Sequence, residues 1–405
     1  MTIDEQVATL MQGTEYGDED LKRAMQAELR QRLVEAEKSG RKLRVYLGID
    51  PRTSDLHLGH TIPMRKLRQF QDLGHQVIFV IGTYTSLIGD PSDQDKLRPQ
   101  LTALQVEDNA RTYAEQAYRV LDRNKTEVRN NGEWLSKVSF ADLIRFASNF
   151  TIQQFLTREN FHLRWEKGDP IYLHETFYAL MQGYDAYMLK ADVQVGGTDQ
   201  LFNIVTAARK LMAALGEKPN IAIIMGILPG TDGEVRMSKS LGNHIPLNTN
   251  AADMFGKVMS VPDKAMGSYM RLATRWTASQ IAAKEKALAD GSLHPRDLKN
   301  EIAYEITDVF YGTKEAQAAL ENFARVFQEG GVPDELPIYK VKTKQSVLDL
   351  LLDAGLAKSK SEGRRLIEQK GVRLDGIALE DPSQDFPGPG VLQVGKRRFV
   401  KIELS

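Results

Sequence analysis

The chain has 405 residues, 42% of them hydrophobic, with no cysteine and with 53 Lys+Arg against 54 Asp+Glu, a formal net charge of −1. That length and apolar content predict two to three folded domains and exclude a disordered chain. The missing cysteines exclude a disulfide scaffold, a thiolate zinc or iron–sulfur centre and a cysteine nucleophile, and fit a cytoplasmic location. Taken as a total, the near-zero charge argues against a strongly basic nucleic-acid binder.

In chain order, the acidic, polar start (Met1–Asp20) does not read as a signal peptide. Glu19–Lys38 carries Leu21, Met25, Leu29 and Leu33 at helical spacing. Lys42–Ile49 alternates like a strand and ends in the turn Gly48-Ile49-Asp50-Pro51, a helix is expected over Leu58–Leu73, and Val77–Ile81 is a second, fully apolar strand. Apolar runs of this kind separated by helices predict a buried parallel sheet, to which Ala191–Val195 and Ile221–Met225 add strands flanking a helix at Leu201–Leu215. Between them, roughly 107–190 reads as a long helical insertion containing Phe140–Arg158 and the helix Tyr172–Lys190. No stretch approaches the roughly 18 apolar residues of a membrane span. Ala251–Gln328 reads as helical throughout, and Gly330–Pro337 is a linker by composition. The remainder predicts two short helices (Ser346–Ala354, Ser359–Lys370) and strands around the turn Asp375-Gly376. The expected fold is therefore a Rossmann-like α/β domain over 1–250 with a helical insertion, an all-helical domain over 251–330, and a small α+β domain over 338–405.

Four local patterns carry chemistry. His57-Leu58-Gly59-His60 places two histidines three apart at the start of a helix, where backbone N–H groups and the helix dipole already favour phosphate. By itself it reads equally as two surface histidines around a packing glycine. Arg236-Met237-Ser238-Lys239-Ser240 follows the last apolar strand. Its Arg236 and Lys239 suit a mobile loop folding over a triphosphate, although alone it reads as a solvated basic loop. On the helix Tyr172–Lys190, Tyr178, Gln182 and Asp185 share one stripe of an otherwise apolar surface, either satisfied by neighbouring strands or forming a pocket wall. Gly196-Gly197-Thr198-Asp199-Gln200 joins a strand to a helix. There a carboxylate can accept ribose hydroxyls, or Asp199 can simply cap the helix.

Together, the His-x-Gly-His turn and the Met-Ser-Lys-Ser loop resemble the two signatures of class I aminoacyl-tRNA synthetases. With Tyr46–Pro51, Leu87–Ser92 and Gln194–Gln200, the set is similar to that of the bacterial tyrosyl-tRNA synthetase family over nearly the whole chain. Leu58 stands where that family usually has isoleucine, and Arg236 where it usually has lysine; an arginine grips phosphate as a fork rather than a point charge. The resemblance implies that tyrosine, ATP and tRNA(Tyr) are the partners, with Mg²⁺ accompanying ATP and no prosthetic group or protein metal site. It implies a cytoplasmic homodimer with no membrane role.

Residue by residue, the resemblance implies that His57, His60, Lys239, Arg236 and Ser240 grip the phosphates, with Lys96 a weaker candidate for the same task. Asp185 and Tyr46 would face the phenol hydroxyl of tyrosine, Tyr178, Gln182 and Asp90 the α-ammonium, and Gln200 would line the same pocket. Gly48, Asp50, Gly59, Gln194, Gly197 and Asp199 would join the histidines and Lys239 around ATP. Phenylalanine would leave a buried Asp185 and Tyr46 unpaired, and the tyrosine-reading synthetase is itself the standard illustration of that form of selection.

The last 70 residues resemble an S4-type RNA-binding module. Lys360, Arg364, Arg365 and Lys370, with Lys358, would form its cationic edge, although charge alone also permits a solvated helix. Rival readings are a tryptophanyl-tRNA synthetase, which shares fold and signatures, a small nucleotidyltransferase, and a non-catalytic RNA-binding protein. No Gly-x₄-Gly-Lys-Ser/Thr loop or Gly-x-Gly-x-x-Gly turn supports a kinase or dehydrogenase. Residues 336–405 carry a net +4 and the preceding 335 a net −5, so the near-zero total averages an acidic body and a basic tail.

Overall fold

A computed structural model describes residues 1–51, 55–92, 101–327, 336, 338–341, 345–357, 359–395 and 398–404. Lys96, Lys358 and most of the 330–337 linker lie outside the described residues. The chain divides into two compact units, 1–312 and 313–405.

The first unit opens with α1 (Ile3–Met11), which the polar composition of the N-terminus concealed, and α2 (Glu19–Ser39). Thr2 and Glu5 close a reciprocal capping box on α1, and Asp18 caps α2 through the amides of Asp20 and Leu21. Next come β1 (Arg44–Ile49), α3 (Leu58–Asp72), β2 (Gln76–Ile81), α4 (Ala103–Ala117) and β3 (Thr126–Asn130). The segment read as a helical insertion thus contributes a strand. β3 pairs in parallel with β2 at the edge of the sheet, and its Thr-Glu-Val-Arg-Asn sequence is too polar to resemble the buried strands beside it.

Beyond β3 lie α5 (Gly132–Leu135), α6 (Phe140–Ala147), α7 (Ile152–Leu156), α8 (Glu159–Lys167) and α9 (Leu173–Met188). The expected helix over 140–158 is two helices, because Ser139 and Thr151 each start their own capping box. Then follow β4 (Val193–Gly197), a π-helical stretch Phe202–Ala208 continued by α10 (Arg209–Ala214), and β5 (Ile221–Met225). The five strands run parallel in the order β3-β2-β1-β4-β5, so chain direction across the sheet reverses between β1 and β4. In such sheets the crevice at the carboxyl ends of the strands flanking that reversal is where ligands bind. The core over this part of the sheet includes Tyr46, Ile78, Val80, Trp134, Ala186 and Leu189. The unit is completed by α11 (Ala251–Met259), α12 (Met266–Ala273), α13 (Ala278–Ala289) and α14 (Pro295–Tyr311), helical as the sequence predicts. Among the described residues no helix is long and apolar enough to cross a membrane.

The second unit holds α15 (Thr313–Phe327), β6 (Ile338–Val341), α16 (Val347–Asp353), α17 (Lys360–Glu368), β7 (Val372–Leu374), β8 (Ile377–Ala378), β9 (Gly390–Val394) and β10 (Arg398–Leu404). Its sheet runs β6-β10-β9-β7-β8, antiparallel except for the β6–β10 pair, over a small core of Val347, Leu350, Leu351, Ile367, Val372 and Leu392. The turn at Asp375-Gly376 joins β7 to β8 as expected, with both residues at positive φ.

Candidate active site

The carboxyl ends of β1 and β4 open into a cleft of about 590 Å³. It is lined by Tyr46, Gly48, Asp50, His57, Gly59 and His60 from the first strand–turn–helix, and by Asp90, Tyr178, Gln182 and Asp185 across from it. Gly197, Asp199, Gln200, Arg236, Lys239 and Ser240 complete the wall. Five segments far apart in sequence therefore converge on one cavity.

Gln194 does not join them. It is buried one residue below the cleft edge of β4, and its Oε1 accepts from Nδ2 of Asn220, which precedes β5 at the amino end of the sheet. Its side chain thus faces the far end of the sheet and does not line the cleft.

At one end of the cleft, His57 begins α3 and its backbone N–H donates to Nδ1 of His60 at 3.2 Å, with the two rings 3.8 Å apart. A Cβ on Gly59 would lie 3.0 Å from the His57 ring, so only glycine leaves the imidazole its place. Burial, with the neighbouring histidines and the Lys239 and Arg236 cations, lowers His57 to about 2; burial and Lys239 lower His60 to about 4. Both imidazoles are therefore neutral at physiological pH, and His57 Nδ1 is buried without a hydrogen-bond partner. Positive charge comes instead from Arg236 and Lys239, whose Nζ lies 3.2 Å from Asp55 Oδ2.

The loop bearing these cations is anchored by Asn243, a residue the sequence reading passed over. Asn243 Oδ1 accepts from the Ser238 amide at 2.8 Å, and its Nδ2 donates to the Arg236 carbonyl and to Asp232 Oδ2. A Cβ on Gly230 would sit 2.3 Å from the Asn243 amide group, so the loop closes on it tightly. Beyond Asn243, the chain pairs with the first signature: the Leu58 amide donates to the Ile245 carbonyl at 2.8 Å and the Leu247 amide to the Leu56 carbonyl at 3.1 Å.

At the opposite end, Asp185 is buried on α9 and accepts from Trp134 Nε1 at 2.7 Å and Asn131 Nδ2 at 3.2 Å. Both donors are neutral and lie on the segment after β3, where the sequence offered no signal for them. Burial raises Asp185 to about 7 against those hydrogen bonds. Tyr46 is buried in the same region and donates to the Gln182 carbonyl at 3.3 Å.

Between the two ends, Tyr178 donates to Asp50 Oδ2 at 3.1 Å, Thr85 donates to Asp50 Oδ1 at 2.7 Å, and Gln182 Oε1 is buried with no hydrogen-bond partner. Asp90 accepts from the Ser92 amide at 2.8 Å, from Gln200 Nε2 at 2.5 Å and from Arg158 Nη2 at 3.1 Å. Burial alone would raise Asp90; Arg158, Ser92 and Gln200 outweigh it and hold the carboxyl below its ordinary range.

In the second unit, Lys360, Arg364, Arg365 and Lys370 are all exposed on or just after α17. Lys360 reaches Asp349 at 3.3 Å and Lys370 reaches Glu380 at 2.8 Å, solvated pairs of small energetic consequence.

Comparison with known proteins places this geometry. Residues 347–387 match the S4 domain family. The chain is 46% identical over 363 residues to the tyrosine–tRNA ligase of Thermotoga maritima, covering 89% of this chain and 90% of that protein. It is 43% identical to the tyrosine–tRNA ligase of Oleidesulfovibrio alaskensis over 99% of both. Its fold is similar to that of the Archaeoglobus fulgidus tyrosyl-tRNA synthetase solved with L-tyrosine (TM-score 0.60, 21% identity, 79% of this chain and 100% of that one). It is also similar to that of the Plasmodium falciparum tryptophanyl-tRNA synthetase (TM-score 0.53, 12% identity, 72% and 80%). Residues 38–328 match the family described as tRNA synthetases class I (W and Y), and the chain belongs to that family.

Proposed function

We infer that this chain is a tyrosine–tRNA ligase. It joins L-tyrosine to ATP, forming tyrosyl-adenylate and pyrophosphate, and then transfers the tyrosyl group to the terminal ribose of tRNA(Tyr). The observation that carries the reading is one cleft with two chemically opposite ends: a buried carboxylate with a buried phenol at one, and two neutral imidazoles beside an arginine and a lysine at the other. The relatives at 43–46% identity favour tyrosine over tryptophan.

In this reading the phenol O–H of tyrosine donates to Asp185, beside Tyr46. The α-ammonium meets Asp90, Tyr178 and Gln182, whose orphaned Oε1 gains a donor, and Gln200 supports Asp90. A carboxylate oxygen of tyrosine attacks the α-phosphorus of ATP, the bond to the bridging oxygen breaks, and pyrophosphate leaves. The enzyme needs no nucleophile of its own; it positions the reactants and stabilises charge. His57 and His60 each offer an N–H to phosphate oxygens, while Arg236, Ser240 and Lys239, exchanging Asp55 for phosphate, supply the remaining donors. Gly48, Asp50, Gly59, Gly197 and Asp199 border the nucleoside. The Arg236 and Lys239 cations at the phosphate end suit phosphate oxygens and repel a protein-held dication, so Mg²⁺ would accompany ATP and shield its phosphate charge.

We assign 1–250 to catalysis, the helices of 251–330 to the anticodon side of tRNA, and 338–405 to RNA binding through Lys360, Arg364, Arg365 and Lys370. A cytoplasmic homodimer completes the reading. It is supported by Phe140, Ile144, Ile152, Trp165 and Leu173, large apolar side chains left exposed on α6 to α9. The deciding experiment is tyrosine-dependent ATP–pyrophosphate exchange. Lys239→Ala should slow it about 10²-fold, the scale of losing one transition-state donor. Near-normal exchange in that variant, or exchange driven by tryptophan, would overturn the assignment.

A further inference from the structure

We propose that Arg158 is a positioning residue of the amino-acid subsite: its guanidinium fixes the aim and the negative charge of Asp90, and thereby the end of the cleft that reads the substrate ammonium. The proposal rests on the assignment of Asp90 to the ammonium.

Arg158 immediately precedes α8, in the segment between β3 and β4, and does not line the cleft. Its side chain is 4% exposed. Nη2 donates to Asp90 Oδ1 and also to Ser92 Oγ, and the guanidinium lies 5.3 Å from the centre of the Phe161 ring and 5.9 Å from that of Phe202. Two residues on, Asn160 Nδ2 donates to the Pro91 carbonyl at 2.7 Å. The start of α8 therefore holds the 90–92 turn at three points, two of them from Arg158. With Oδ1 occupied by Arg158 and the Ser92 amide, Asp90 presents Oδ2 towards Gln200 and the cavity.

Comparison of the two cleft carboxylates shows what the guanidinium does. Asp185 is buried and the Asp90 side chain only 15% exposed, and both accept hydrogen bonds from neutral groups, yet burial raises the first to about 7 while the second is held below its ordinary range. The difference is a cation: Asp90 has Arg158, whereas the described residues that hydrogen-bond Asp185 are the neutral Trp134 and Asn131. Among the described residues, the other groups facing Asp90 are Gln200 with its neighbour Asp199, and Tyr178, which is tied to Asp50; none of them is a cation. An ammonium is best held by a carboxylate that stays ionised throughout the working pH range, and Arg158 keeps Asp90 in that state.

The test compares tyrosine with 3-(4-hydroxyphenyl)propionate, an inhibitor that keeps the phenol and carboxylate and lacks the ammonium. The ratio of the tyrosine KM to the Ki of this inhibitor cancels effects at the phenol end. Arg158→Met should raise the tyrosine KM in ATP–pyrophosphate exchange by about tenfold or more, the scale of losing a charge-assisted hydrogen bond, with the KM for ATP and the inhibitor Ki nearly unchanged. The ratio should also acquire an ionisation, with tyrosine gaining on the inhibitor as the pH rises, as expected for a carboxylate in a poorly solvated site that has lost its cation. Arg158→Lys, which keeps the charge but not the fork, should recover most of the affinity and the flat pH profile.

An unchanged tyrosine KM, a parallel rise in both KM values and in Ki, or a ratio without a new ionisation would overturn the proposal. Should Arg158→Met fail to fold, Arg158→Gln, which removes the charge but keeps a donor, decides: a rise in the tyrosine KM without a rise in Ki supports the proposal, and an equal rise, or none, overturns it. Asp90→Asn separates the two levels. A normal tyrosine KM in that variant overturns the ammonium assignment itself, whereas a raised KM there with a normal one in Arg158→Met overturns only the role of Arg158.

Discussion

Asp185 concentrates the chemistry of the cleft in one side chain. A carboxylate about half ionised near neutrality, held by Trp134 and Asn131, offers a phenol O–H its best acceptor only when ionised. Tyrosine affinity should therefore improve as the pH rises through about 7, and Asp185→Asn should abolish that dependence while lowering discrimination against phenylalanine; KM values for both amino acids across pH measure this. The same shift has a consequence for stability. Because the folded pKa lies above the unfolded value of about 4, the favourable contribution is fully present below about pH 4 and is lost as the pH rises through about 7. Asp185→Asn should flatten that slope in urea unfolding between about pH 4 and 7. Tyr178, Gln182 and Asp185 were legible in the sequence because a polar stripe on an apolar helix needs partners. Trp134, Asn131 and Arg158 were not, since an isolated tryptophan, asparagine or arginine carries no periodicity and acquires meaning only from what the fold brings against it.

The active loop and α3 act as a pair at the scale of elements. Asn243 receives the Ser238 amide and donates to the Arg236 carbonyl and Asp232, and the next residues lace onto Leu56 and Leu58 beside His57. The second signature is thus set in register with the first by backbone bonds, with Asn243 as the post. Removing that post strands a buried amide and a carbonyl, at a cost of about 1–3 kcal/mol locally. Asn243→Ala should raise the KM for ATP about tenfold, leaving the tyrosine KM near normal, because the loop no longer rests over the phosphate site. Equal effects on both substrates would place Asn243 outside this coupling. The strands β1, β2, β4 and β5 and the helices α2 and α3 were legible because buried parallel strands are continuously apolar and the helices are periodic. β3 was not, because an edge strand with one partner tolerates Glu127 and Arg129, which pair with each other, Arg129 also pairing with Glu133. The π-helical stretch within the helix read at Leu201–Leu215 likewise leaves no mark in the apolar spacing.

The whole molecule separates by charge as well as by fold. Residues 1–335 and 336–405 divide a nearly neutral chain into an acidic part, net −5, and a basic part, net +4, and the S4 match lies in the basic part. Removing 338–405 should leave tyrosine-dependent ATP–pyrophosphate exchange intact and weaken charging of tRNA(Tyr), with the deficit shrinking as salt is raised and the phosphate contacts of the basic tail are screened. Unchanged charging at physiological salt would remove the C-terminal domain from tRNA recognition. The exposed apolar side chains of α6 to α9 predict in turn that Leu173→Glu, placed on that face, shifts the sedimentation coefficient from dimer towards monomer.

By itself the sequence determined the class of fold, the two signature motifs, the polar stripe that lines the cleft and the basic tail. These are local patterns, written in spacing, apolar runs and charge along a continuous stretch of chain. Only the tertiary structure decided which side chains meet: that Gln194 turns away to Asn220, that Trp134 and Asn131 hold Asp185, that Arg158 holds Asp90, and that Asn243 ties one signature to the other. The physical reason is that the ionisation and aim of a buried polar group depend on neighbours within a few ångströms, and the fold draws those neighbours from positions tens to hundreds of residues away.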